Sequence, residues 1–264
     1  MVQPRQLPVL PAAHARALSL LRDPDVAIAA IAAVVESDPA LTAALLRIAN
    51  SAASAPVNRV TTAQRAVMRV GLGGTRNAVT AAVMRHSFGD LRDSGLDLNE
   101  LWRHVVSCAV IADRAASGPL RSAAFTAGLL HDVGRLAMAY AEPRRYAQVV
   151  TAVHGGADPR EAERHIFGED HEAVGMVVAL EWGLPEEVAA AVGGHHVVGP
   201  NSVTRAVHAA RLLAGELGIG DGVVAAGEAT SPDTLADEPR TLLSLLGGAE
   251  SLATHVAWFS GMAA

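Results

Sequence analysis

Apolar residues recur along this chain at intervals of three and four, and short polar stretches containing proline or glycine separate the runs. After Asp38-Pro39, for example, Leu41 and Leu45 fall on one helix face. The aspartate is suited to cap a helix whose first residue is the proline. Alanine, the best helix former, fills runs such as 27–35 and leaves little room for strands. The pattern therefore predicts an all-α protein.

Residues 90–98 are the best candidate for a domain boundary, because the stretch 89–95 is polar and contains glycine. About five short helices are predicted before it, which makes residues 1–89 an N-terminal helical subdomain. Residues 97–220 carry longer helices and form a second helical subdomain. Residues 221–264 are predicted to be loop followed by short helices. We expect the first two subdomains to pack together as one continuous unit.

Composition narrows the class of protein. The net charge is −6, and no basic stripe with interleaved aromatic residues is present, so we expect no nucleic-acid partner. No apolar run reaches the roughly 18–20 residues of a membrane span, and the first residues lack the apolar core of a signal peptide. The single cysteine, Cys108, excludes an internal disulfide and fits a reducing compartment. We therefore expect a cytoplasmic protein without a membrane partner.

An adjacent histidine and aspartate, His131-Asp132, lie inside an otherwise apolar run that is predicted to be helical. Alone, such a pair is most simply a buried hydrogen bond. Further histidines at inward positions or helix ends of the following segments strengthen the alternative, a divalent metal site, because imidazole and carboxylate are common ligands of such ions. The candidate ligands are His104, His131, Asp132, His171, His195 and His196.

Several motifs, taken together, resemble the HDOD family, a branch of the HD superfamily of metal-dependent phosphohydrolases. The resemblance covers about residues 7–220. It implies an all-α fold in which an N-terminal bundle packs on an HD-like bundle, and a bacterial signalling module without established phosphodiesterase activity. The motifs are Asp38-Pro39-Ala40-Leu41-Thr42, Leu46-Arg47-Ile48-Ala49-Asn50-Ser51, Ala66-Val67-Met68-Arg69-Val70-Gly71, Leu101-Trp102-Arg103-His104, Gly128-Leu129-Leu130-His131-Asp132-Val133-Gly134-Arg135 and Trp182-Gly183-Leu184-Pro185.

The chain departs from the superfamily pattern at the position of its closing aspartate, where Arg211 stands. The double histidine is also followed by Val197-Val198-Gly199-Pro200 and not by the Gly-Tyr-Pro segment of cyclic-dinucleotide phosphodiesterases. A guanidinium always carries a positive charge and repels a nearby divalent ion. We therefore expect a degenerate metal site in which Arg211 takes the vacated metal position and pairs with Asp132.

The preferred interpretation is a non-catalytic signalling or regulatory module with no catalytic residues and no resident cofactor. It would bind a signalling protein in trans, or a nucleotide. The alternative is a metal-dependent phosphohydrolase that acts on a nucleotide or cyclic dinucleotide with Mn²⁺, Fe²⁺ or Mg²⁺. A third interpretation is that the polar cluster only satisfies its own hydrogen bonds within the core.

Overall fold

The computed structural model describes residues 10–20, 23, 25–51, 59–88, 91–199, 201–225, 227 and 235–260. All regular structure in these ranges is helical, which confirms the predicted all-α class. None of the helices described is both long enough and apolar enough to span a bilayer. The helices are α1 (Ala12–Leu20), α2 (Ile28–Glu36), α3 (Pro39–Ala49), α4 (Ala63–Ser87), α5 (Leu98–Ala115), α6 (Leu120–Leu130), α7 (Val133–Ala141), α8 (Pro143–His154), α9 (Pro159–Phe167), α10 (His171–Glu181), α11 (Glu186–Val192), α12 (Ser202–Glu216), α13 (Asp237–Leu245) and α14 (Ala249–Ser260).

The chain divides into two compact units, the first built mainly from Val9–Ser87 and the second mainly from Phe88–Val256. In the first unit α2 and α3 pack against α4. Asp38 caps α3 as expected, because its Oδ1 accepts the backbone N–H groups of Ala40 and Leu41 at 2.8 and 3.0 Å. Helix α4 breaks at Gly71, whose φ of 77° suits glycine. The boundaries of the three predicted subdomains remain a prediction.

In the second unit α5 packs against both α6 and α12, and α7 packs against α10. Two glycines permit the close approaches. A Cβ at position 128 would lie 2.8 Å from the carbonyl oxygen of Cys108 on α5, and a Cβ at position 134 would overlap the carbonyl group of His171 on α10. The two glycines flank His131-Asp132 in sequence. They therefore let these side chains reach residues on α5 and α10.

His131 and Asp132 do not lie within one helix, as the apolar run had indicated. They form the junction at which α6 ends and α7 begins. Consecutive residues on a continuous helix point about 100° apart. At the junction both side chains face one point: His131 Nε2 lies 3.3 Å from Asp132 Oδ2.

Candidate metal centre

The structure brings the six candidate ligands together in the second unit. His104 lies on α5, His131 and Asp132 at the α6–α7 junction, and His171 at the first position of α10, directly after the capping residue Asp170. The double histidine occupies the turn between α11 and α12. The side chains of all these residues are buried except that of His196, which is partly exposed.

Asp132 is the centre of the cluster, and its two oxygens face different histidines. Oδ2 lies 3.3 Å from His131 Nε2 and 3.9 Å from His104 Nε2. Oδ1 lies 3.4 Å from His171 Nε2 and 3.8 Å from His195 Nε2. Four imidazoles therefore point their Nε2 atoms at one carboxylate.

Outer hydrogen bonds set the orientation of three of these rings. Nδ1 of His131 lies 2.8 Å from the carbonyl oxygen of Gly128, and Nδ1 of His195 lies 2.9 Å from that of Val192. Nδ1 of His171 lies 2.6 Å from Oε2 of the buried Glu163. Because a carbonyl or carboxylate oxygen only accepts, Nδ1 carries the proton in each neutral ring. Each Nε2 then presents a lone pair to the centre, the arrangement found in metal-bound histidines.

Without a cation the lone pair of His131 has no partner, whereas Nε2 of His171 lies 3.0 Å from Nε2 of His196. His171 Nε2 lies 3.3 Å from His195 Nε2, and neither atom carries a proton to donate to the other in this tautomeric state. Nε2 of His131 and Oδ1 of Asp132 are buried without a hydrogen bond. Nitrogen and oxygen ligands at about 2.1 Å from one ion stand about 3.0–3.5 Å apart. The spacings around Asp132 are close to that range, so the residues present fit a divalent metal.

Burial also keeps His104, His195 and His196 in the form that binds metal. Burial lowers the pKa of His104 to about 4, with His131 acting in the same direction. Burial and neighbouring histidines hold the pKa of His195 well below its usual value. The pKa of His196 is lowered to about 2, by burial first and then by His171 and Arg211. These three rings are therefore neutral at pH 7, as ligand nitrogens must be.

The predicted pairing of Arg211 with Asp132 is wrong. The guanidinium beside Asp132 belongs to Arg135, one turn further along the chain on α7, with Nε 3.4 Å from Oδ1. Nη1 of Arg135 also lies 2.8 Å from Oδ2 of Asp221, and Nε lies 3.8 Å from Oε1 of Glu163. Burial would raise the pKa of Asp132, but Arg135 and the histidines outweigh it and hold that pKa well below its usual value.

Sequence reasoning missed Arg135, Glu163 and Asp221. Arg135 follows Asp132 at i,i+3 spacing in an apolar segment, a local signal that could have identified it as the counterion. No comparable signal marks the other two, because they meet Arg135 from 28 and 86 positions away in the chain. Tyr146 supports the group by donating a hydrogen bond of 3.2 Å from its hydroxyl to Glu163.

A cavity of about 510 Å³ opens beside the cluster. His104, Asp132 and His196 contribute to its lining, and so do the guanidinium-bearing residues Arg160 and Arg211. Nε of Arg211 is buried without a hydrogen bond. Arg211 is thus a cation in the cavity wall and not an occupant of the centre. The remaining wall is rich in glycine: Gly215, Gly218, Gly220 and Gly227.

The fold and the His–Asp cluster define an HD-like helical protein. A model of the HDOD domain matches residues 7–198, and the chain belongs to the HDOD domain family. An uncharacterized protein of Treponema pallidum (strain Nichols) is 26% identical over 192 residues, which are 72% of this chain and 37% of that protein. The chain thus spans little more than a third of the length of this relative.

Solved structures agree with this assignment. A candidate phosphohydrolase from Shewanella amazonensis SB2B is 25% identical, with a TM-score of 0.78 over 98% of this chain and 96% of the other. An HDOD domain protein with unknown function from Geobacter sulfurreducens is 24% identical, with a TM-score of 0.76 over 97% and 93% of the two chains. The second likeness concerns the fold alone.

Proposed function

We propose that this chain is a regulatory signalling module that holds a divalent metal and binds a phosphate-bearing nucleotide without turning it over. The observation that supports metal binding is the set of opposed Nε2 lone pairs around Asp132. The clearest case is the 3.3 Å separation between Nε2 of His171 and Nε2 of His195. When bound, the metal would supply positive charge at the floor of the cavity. Oδ1 of Asp132, His171 and His195 are the groups that would hold it.

The charged residues of the cavity wall support the binding of a nucleotide. Arg211 presents a guanidinium there, and a planar guanidinium can bind phosphate through two parallel hydrogen bonds. Arg160 lies on the same wall, held by a 3.1 Å ion pair from its Nη1 to Oε2 of Glu172. Glu172 also accepts the backbone N–H of His196 at 3.0 Å, which fixes the turn of the double histidine. A phosphate group would therefore meet both a metal and Arg211.

Metal analysis of protein purified without chelator tests the proposal. We expect divalent metal in the wild type and at least a halving of metal per chain in the His195→Gln variant. His154→Ala is the matched control, because that histidine is exposed at the end of α8. Wild-type protein that neither contains divalent metal nor acquires it from Mn²⁺, Fe²⁺ or Zn²⁺ solutions would overturn the proposal.

The second candidate function is metal-dependent phosphohydrolysis, and the convergent ligand cluster favours it. Arg211 replaces the carboxylate that the superfamily pattern places there, so we expect no appreciable hydrolysis of cyclic di-GMP or generic phosphodiesters with Mn²⁺, Fe²⁺ or Mg²⁺. Turnover that disappears in a His131→Ala, Asp132→Ala double variant would replace the signalling proposal with this one.

A further inference from the structure

Cys108 lies beside the His–Asp cluster, and none of the functions above uses it. It occupies α5 one turn after His104 and is fully buried. Its Sγ lies 3.6 Å from Nε2 of His104. Ligand atoms of His104, Cys108 and His131 all lie within 4.8 Å of one another. A soft sulfur atom therefore adjoins two imidazoles at the side of the cluster.

We propose that Cys108 is a thiolate ligand of a second metal position, formed with His104, His131 and Oδ2 of Asp132, and that the thiolate makes this position prefer zinc. The inference rests on the proposed metal-binding function. When the ion binds, a metal–sulfur bond forms, the S–H bond breaks, and the proton leaves to water. Softness of the sulfur favours Zn²⁺ over Mn²⁺ or Mg²⁺.

Three of the six distances between the four ligand atoms can be compared with those of a tetrahedral ion. With zinc bonds of about 2.1 Å to nitrogen and about 2.3 Å to sulfur, the two ligand atoms stand about 3.6 Å apart. That is the separation between Cys108 Sγ and His104 Nε2. Nitrogen and oxygen ligands of the same ion stand about 3.4 Å apart, and Asp132 Oδ2 lies 3.3 Å from His131 Nε2 and 3.9 Å from His104 Nε2.

A second observation points to a ligand at this place independently of the cysteine. Nε2 of His131 is buried, belongs to a side chain with no exposed surface, and makes no hydrogen bond. The ring is held by the hydrogen bond from its Nδ1 to the carbonyl oxygen of Gly128, so Nε2 offers a lone pair. A buried acceptor without a donor is costly, and a cation between His131, His104 and Cys108 would satisfy it.

The two halves of the cluster face different oxygens of Asp132, although His131, Asp132 and His195 also form a group of close ligand atoms. His171, His195 and His196 form a separate group of close ligand atoms. Two of them, His171 and His195, face Oδ1 of Asp132, whereas His104 and His131 face Oδ2. An ion in the first group would therefore have no thiolate ligand. This difference allows the two positions to be distinguished spectroscopically.

The rival interpretation is a hydrogen bond from the Cys108 thiol to Nε2 of His104. Cobalt substitution separates the two. The chain contains one cysteine, so a sulfur-to-cobalt charge-transfer band in the near ultraviolet can arise only from Cys108. We expect wild-type protein, stripped with chelator and titrated with Co²⁺, to bind two ions and to show this band. A protein that only hydrogen-bonds through the thiol would show none.

The Cys108→Ser variant should lose the band and bind one Co²⁺ in place of two. Its zinc dissociation constant at the second position should rise by at least about tenfold, the smallest loss usual even for partners of metal ligands. Circular dichroism and thermal melting check that the variant is folded, and the wild-type spectrum remains decisive if it is not. Co²⁺ bound without a thiolate band would overturn the inference while leaving the proposed function standing. No Co²⁺ bound at all would overturn both.

Discussion

Replacement of Arg135 by alanine tests which cation balances the buried acids of the cluster. The guanidinium is almost fully buried and lies within 4.0 Å of the carboxylates of Asp132, Glu163 and Asp221. Removal of one partner of a buried ion pair costs about 3–5 kcal/mol, because the remaining charge is left without compensation. At about 2–4 °C per kcal/mol for chains of this size, the melting temperature should fall by roughly 6–20 °C.

The assay is denaturant and thermal unfolding of chelator-treated protein, since a metal ion would itself partner Asp132. Arg103→Ala is the matched control. Arg103 makes an ion pair with Glu100 at 4.0 Å, and its side chain is 50% exposed. Such surface pairs contribute about 0–1 kcal/mol. A difference of less than about 1 kcal/mol between the two variants would refute the assignment of Arg135 as the buried counterion.

The same variant should have a characteristic pH dependence. Burial would raise the pKa of Asp221, but Arg135 outweighs it and lowers that pKa. A carboxylate with a lowered folded pKa contributes stability above its unfolded value, near 3.9, and loses it as the pH falls through the folded pKa. The destabilisation by Arg135→Ala should therefore be largest near pH 7 and shrink below about pH 4. A deficit that stays constant down to pH 3 would show that lost packing, and not charge, explains the effect.

Three further results are expected. Arg211→Ala should change the unfolding free energy by less than about 1 kcal/mol, because Asp132 pairs with Arg135. Arg211→Asp should tighten divalent-metal binding about tenfold or more, equivalent to roughly 1.4 kcal/mol or more. Calorimetric titrations that show unchanged metal affinity in Arg211→Asp would contradict this expectation. Burial lowers the pKa of His14, although Asp38 opposes this shift. The contribution of His14 to stability is therefore present above about pH 6.5 and is lost on acidification. His14→Gln should reduce the difference in unfolding free energy between pH 7.5 and 5.5, and an unaltered difference would disprove this role of His14. A fragment of residues 1–89 should not unfold cooperatively, since short helices depend on tertiary packing; a sharp calorimetric transition would show that it is an independent domain.

The sequence by itself determined the helices and the membership of the candidate cluster. Helix starts are local features, and the caps at Asp38, Asp97 and Asp170 could be read from single residues and their neighbours. The candidate ligands could also be identified from local features of the sequence. Each histidine lies at an inward position or helix end that the apolar pattern marks, and the motifs matching the HDOD family supplied their order.

Only the tertiary structure decided how these residues are used. Close approaches at Gly128 and Gly134 bring α5 and α10 to the α6–α7 junction that carries Asp132. The spacing of apolar residues along the chain does not encode such approaches. Asp221 reaches Arg135 across 86 positions. Arg135, and not Arg211, is the cation that pairs with Asp132. Ion pairing depends on distances of a few ångströms between distant segments, and those distances are fixed by packing and not by local propensity.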